Sequence, residues 1–213
     1  MEFSHLLHAI ENEPVFETGL LLSGDVDPFN TRKQLTRWTT SGKLFQLRRG
    51  LYCLAPPYQK VIPHPFLIAN RLLAGSYVSL QSALAHFGMI PELVPTTTSV
   101  TTTRTATFHT PLGQYDFHHI QVGWLRGFTR ANLGNDQWAF IATPEKALLD
   151  LVYLQPGGEH EDFLLSLRLQ ALDRLNLDLL QHLAAYLDKP KLLRAAGIIR
   201  RLAEAEKADY KSL

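Results

Sequence analysis

The chain predicts an α+β protein: a group of helices closed by a two-stranded hairpin, then a mixed α/β domain that ends in a helical bundle. Three observations carry that expectation. Up to residue 54, apolar stripes at helical spacing give way to glycine turns and strand-like runs; nine threonines alternate loosely with Val, Ala and Phe between Thr96 and Thr110; leucine or isoleucine recurs at steps of three and four beyond Phe163. At 213 residues, 46% hydrophobic and 19% charged, the chain is long enough for one large or two small cores.

The elements follow in order. Phe3, Leu6, Leu7 and Ile10 form a helical stripe, the first helix. A second helix is expected from Thr18, as cap, through Leu20, Leu21 and Leu22 to Ser23-Gly24. Thr31 followed by Gln34 reads as a capping box opening a third helix from Arg32 to about Ser41, with Gly42 as its stop. Leu35 and Trp38 share its inner face, leaving Arg32, Lys33, Thr36, Arg37 and Thr40 outward. Leu44 to Leu47 and Leu51 to Leu54 then form strands around the Arg48-Arg49-Gly50 turn.

Four prolines in the 11 residues from Ala55 to Pro65 read as a stiff linker, with a boundary near residue 60 between domains at 1–58 and 64–213. Beyond it the sequence predicts a helix from Phe66 to Ala74, a strand from Tyr77 to Leu80 and a helix from Gln81 to Phe87. Strands are expected in the threonine-rich run, from Tyr115 to Val122 and from Trp138 to Ile141. Thr143-Pro144-Glu145 supplies cap, N1 proline and early acid for a helix carrying ALLDLVYL. Phe163 to Leu175, Leu177 to Leu187 and Leu192 to Lys207 complete the bundle, which permits a homodimer without requiring one.

Charge distribution points to function. The net charge is only +1, yet from Pro28 to Pro91 there are eight Lys or Arg and no Asp or Glu, and six of the eight lie between Arg32 and Arg49. A phosphate backbone answers to local field more than to total charge, so this third of the chain reads as a binder of double-stranded DNA. The order helix, turn, strand, basic turn, strand is that of a winged helix-turn-helix. The candidate contacts are Thr31, Arg32, Lys33, Thr36, Arg37, Thr40 and Lys43, with Arg48 and Arg49 of the wing on phosphate. The amides at the capped helix start would attract anions as well. The competing reading makes these arginines a solvated face; 64 residues without an acid favour DNA, because ordinary surfaces mix both signs.

Other chemistries find little support. His109, His118 and His119 cluster with Asp116, but no zinc spacing is present and adjacent strand residues point to opposite faces, so neither a metal nor another cofactor is expected. No phosphate loop, nucleophile elbow or paired-carboxylate motif occurs; Glu145 beside Lys146 is explained by its place in a helix first turn, and no catalytic residue is assigned. The lone Cys53 reads as a small buried hydrophobe. No apolar run approaches the roughly 18 residues of a membrane span, and the acidic start MEFSHLLHAIENE is unlike a signal peptide, so a soluble cytoplasmic protein is expected.

GKLFQLRRGLYCL, PFLIANRLLAGSYVSLQSALAHFGMIPE, SVTTTRTATFHT with GQYDFHHI, and ATPEKALLDLVYL occur in one order. In these segments the chain resembles the AbiEi-type antitoxins of type IV toxin-antitoxin systems, over roughly residues 1 to 155. The resemblance implies a winged helix-turn-helix that represses its own operon, joined to an antitoxin domain that counters a nucleotidyltransferase-like toxin. It places the recognition helix on Arg32 to Ser41 and the wing on Phe45 to Leu54, and it makes Thr143 to Lys146 a structural signature. LLLSGDVDPFN departs from the family's second helix. Two alternatives stand beside it: a stand-alone winged-helix transcription factor whose second domain senses a ligand or protein, and a nucleic-acid-processing enzyme targeted by the helix.

Overall fold

The computed structural model describes residues 2–22 and 27–211, and they form a mixed α and β structure with two sheets. Helix α1 (Phe3–Ile10) occupies the span its apolar stripe predicts and buries Leu6 and Ile10. A two-residue strand β1 (Phe16–Glu17) precedes the short helix α2 (Thr18–Leu21). Thr18 does not cap this helix: its amide and hydroxyl both donate to the Gly50 carbonyl, at 2.9 and 3.4 Å, tying α2 to the hairpin turn. The expected end at Ser23-Gly24 lies outside the described residues.

Helix α3 (Pro28–Thr40) starts four residues before the expected Arg32. Its cap is Asp27, whose carboxylate accepts from the Phe29 amide at 2.9 Å, and Pro28 fills the N1 position where a missing N–H costs nothing. Thr31 is therefore inside the helix, its hydroxyl turned back to the Asp27 carbonyl. Gly42, at φ +71°, ends the helix as expected, and the Lys43 amide closes onto the Trp38 carbonyl.

Strands β2 (Leu44–Arg48) and β3 (Leu51–Leu54) form an antiparallel hairpin, and β1 pairs with β3 to give the order β1-β3-β2. Strand alternation sends β3 in two directions. Leu44, Tyr52 and Leu54 pack with Leu6, Ile10, Phe16, Leu35 and Trp38. Leu47, Leu51 and Cys53 join the larger core beyond the linker. The hairpin is thus covered on both faces.

The larger part contains α4 (Pro65–Leu72), β4 (Ser76–Val78), α5 (Leu80–His86), β5 (Thr97–Thr101), β6 (Ala106–Thr110), β7 (Gly113–His119), β8 (Phe128–Asn132) and β9 (Trp138–Ala142), then α6 (Pro144–Leu154), α7 (Glu161–Ser166), α8 (Leu177–Leu187) and α9 (Pro190–Lys211). Its sheet runs β6-β7-β5-β4-β9-β8, and β2 lies against β6. Helix α6 packs on α5, α8 and α9, which makes the C-terminal bundle one layer of the core.

Several expected elements end elsewhere. The strand from Tyr77 to Leu80 stops at Val78, because Leu80 takes a left-handed φ of 57° and opens α5. The strand from Tyr115 to Val122 stops at His119, and Val122 begins a 3₁₀ turn. The helix from Phe163 to Leu175 breaks after Ser166, with Arg168 and Ala171 left-handed, and resumes as a 3₁₀ turn at Leu172–Arg174. Strand β8 was not among the expected elements: FTRAN carries no clean alternation.

Candidate nucleic-acid interface

The hydrophobic anchor of α3 sets what it can present. Leu35 is 1% and Trp38 7% exposed, against α1 and the hairpin. On the other side Arg32, Lys33, Thr36, Arg37 and Thr40 are all exposed. Among the described residues none of Arg32, Lys33, Arg37 and Arg49 forms an ion pair. The Thr36 hydroxyl donates to the Arg32 carbonyl at 3.0 Å. Among the described residues four of the five polar side chains on this arc are therefore committed to nothing, and the fifth is bound only to its own helix.

The remaining sequence-assigned positions divide. Arg49 is exposed at the hairpin tip beside Gly50, whose φ of +83° suits glycine. Thr31 is only 2% exposed and cannot reach a ligand. Lys43 is half-buried with its ammonium 4.6 Å from the Phe3 ring centroid, so part of its charge already faces an aromatic ring. Arg48 is likewise engaged: its guanidinium donates to the Arg71 carbonyl at 3.2 Å, to the Arg49 carbonyl at 3.1 Å and to Glu17 at 3.4 Å, while its Nε is buried without a partner among the described residues. Arg48 clamps the hairpin to α4 rather than reaching outward. The anion-attracting helix start is also occupied, because the Asp27 carboxylate takes the Phe29 amide and the Asn30 side-chain amide at 2.8 Å.

A second polar constellation went unread in the sequence. Lys146 and Asp150, one turn apart on α6, form an ion pair with exposures of 0% and 1%. Asp150 also accepts from Tyr77 Oη at 3.0 Å and Ser79 Oγ at 2.8 Å, both side chains fully buried. Burial pushes the Asp150 carboxyl up, against the pull of Lys146 and the two hydroxyls. Burial and the neighbouring Asp150 push the Tyr77 phenol up as well. Glu145, by contrast, accepts from the Asn176 amide at 2.8 Å and so joins α6 to the start of α8. Glu145 and Lys146 thus point to different partners and do not make an acid–base pair. The signal available beforehand was the i, i+4 spacing of Lys146 and Asp150 within an otherwise apolar stripe.

The histidines of the sheet are separate. His109 faces Gln114 across β6 and β7, and His119 Nδ1 lies 2.7 Å from the Thr103 carbonyl. Among the described residues no group of three or more His, Cys, Asp or Glu could hold a metal ion. Cys53 is buried and its thiol is pushed up to about 12 by desolvation. No helix among the described residues is long and apolar enough to cross a membrane. No protein-family model matches the chain, and no curated protein matches it.

Proposed function

We propose that the chain is a DNA-binding transcriptional repressor of its own operon and an antitoxin of a type IV toxin-antitoxin system, with residues 1–58 as a winged helix-turn-helix domain and 64–213 as an antitoxin-like domain. One observation carries the DNA reading: the outer face of α3, where Arg32, Lys33 and Arg37 are exposed beside Thr36 and Thr40 without an acid partner among the described residues. A helix of that kind fits the major groove, where Arg can hold guanine O6 and N7 and threonine a base edge or methyl. Arg49, at the tip, is the phosphate contact that the hairpin offers.

The antitoxin half rests on the four-segment resemblance, and its functional partner would be a nucleotidyltransferase-like toxin. The protein works in the cytoplasm as a regulator and not as an enzyme. Pairing through the C-terminal helices would give a homodimer suited to a two-fold operator.

Fluorescence anisotropy with the DNA upstream of the protein's own coding sequence, against a scrambled duplex over a salt series, tests the repressor reading. Sequence-selective affinity that falls steeply with salt and is lost in Arg37→Ala supports it. Equal weak binding to both duplexes refutes it. Failure of co-expression to rescue growth from the neighbouring toxin refutes the antitoxin half alone.

A specific observation also favours the stand-alone regulator with a sensing domain. A groove between the β1 segment and the α4/β9 surface is lined by Glu13, Glu17, Arg71, Asp136 and Trp138, and two of these flank the Arg48 clamp. A ligand there would reach the hairpin directly.

A further inference from the structure

The earlier start of α3 brings an aromatic residue onto the candidate interface. Phe29 occupies the first turn and is 75% exposed. Among the described residues it joins neither hydrophobic cluster and makes no ring–ring contact. At 3.6 residues per turn Phe29 stands about two and a half turns from Trp38, which puts it opposite the buried anchor. Lys33, Thr36 and Thr40, at steps of four, seven and eleven, lie on the same stripe. The ring therefore lies on the same stripe as the basic face, at its N-terminal end.

Phosphate has no use for a ring at that place, and the Phe29 amide, which could otherwise bind an anion, is taken by Asp27. An apolar group between cations in the major groove has one natural counterpart, the 5-methyl of thymine, which is the only apolar feature that base edges display there. Recognition helices also bring their N-terminal residues onto the bases, where Phe29 stands.

We infer that Phe29 is a specificity-determining residue that packs its ring on the methyl group of a thymine in the bound site; this rests on the DNA-binding reading of α3. The contact selects thymine over cytosine without a hydrogen bond, and it explains why an exposed phenylalanine interrupts a polar face.

The test uses the full chain to enrich duplexes from a random pool, then a labelled copy of the most enriched duplex in which each thymine is replaced in turn by deoxyuridine. Removing the contacted methyl should weaken wild-type binding about fourfold at one position, as expected for loss of one buried methyl group. Phe29→Ala should weaken binding to the thymine duplex about tenfold or more and be indifferent to that deoxyuridine. Phe29→Leu, which keeps an apolar side chain, should recover part of both effects. Phe29→Ala binding as tightly as wild type overturns the inference, and so does a deoxyuridine penalty that survives in Phe29→Ala. If Arg37→Ala weakens binding while Phe29→Ala does not, only this inference fails; if no duplex is enriched, the DNA-binding reading falls and this inference falls with it.

Discussion

Replacing Lys146 with Met should be among the most damaging single changes in this chain. The ammonium and the Asp150 carboxylate are both almost completely out of water, at 0% and 1% exposure, so removing one leaves the other charge without compensation. Breaking such a buried pair costs about 3–5 kcal/mol, against a total stability of about 5–15 kcal/mol for a domain. Tyr77 and Ser79 still donate to Asp150 after the change and keep the loss from growing further. Asp150→Ala should cost at least as much, since it leaves a buried ammonium and orphans both hydroxyls. The double variant Lys146→Met, Asp150→Leu removes both charges and should be more stable than either single variant.

Urea unfolding followed by tryptophan fluorescence reads this, because Trp124 is buried in the same core. The sign with pH is also set. Without Lys146 the Asp150 pKa stays above its unfolded value, so the folded variant gains a proton as pH falls. Its deficit should be smaller at about pH 5 than at about pH 8. Single variants within about 1 kcal/mol of wild type, or a double variant no better than the worse single, would refute the claim that these charges are buried and mutually dependent.

Three further outcomes are expected. His64 and His86 are both held below the ordinary imidazole value of 6.5 by burial, and His64 also by His86. A lowered folded pKa lets the unfolded chain take protons first. Stability is full above about 6.5 and declines as pH falls from there through the folded values; His64→Asn, which keeps an acceptor for the Phe66 amide, should make that decline shallower in thermal melts. In salt titrations of DNA binding, Arg49→Ala should reduce the slope of log K by about 0.9, the value of one phosphate. Arg48→Ala should leave the slope unchanged and lower thermal stability instead, by loosening the hairpin from α4; a slope change there would show that Arg48 leaves its clamp to bind phosphate. The Cys53 thiol, buried and pushed up to about 12, should react with a thiol reagent at the rate of unfolding, and rapid labelling of the native protein would contradict that burial.

Where the sequence reading succeeded, the signal was periodic and local. Leu35 and Trp38 anchor α3 because spacing three puts them on one helix face whatever they pack against. Thr143 caps α6, accepting from the Lys146 amide at 3.3 Å, because a cap and an N1 proline need only their own neighbours. Where the reading missed, two local signals competed. Asp27-Pro28 and Thr31-Gln34 both announce a helix start, and the upstream pair won because the helix then gains another turn at no cost in unpaired amides. Phe29 entered the interface only through that shift.

The amino-acid sequence by itself determined the acid-free basic segment, the α3-hairpin unit, and the outward placement of Arg32, Lys33, Thr36, Arg37 and Thr40, since helical pitch and the apolar stripe decide these before any long-range contact forms. Only the tertiary structure decided which of the remaining cations are available. Arg48 is spent on a carbonyl 23 residues away and Lys43 faces the Phe3 ring, while Lys146 is paired with Asp150, which accepts from Tyr77 and Ser79 some 70 positions earlier in the chain. Contacts at such separations depend on how elements stack, which no local pattern encodes.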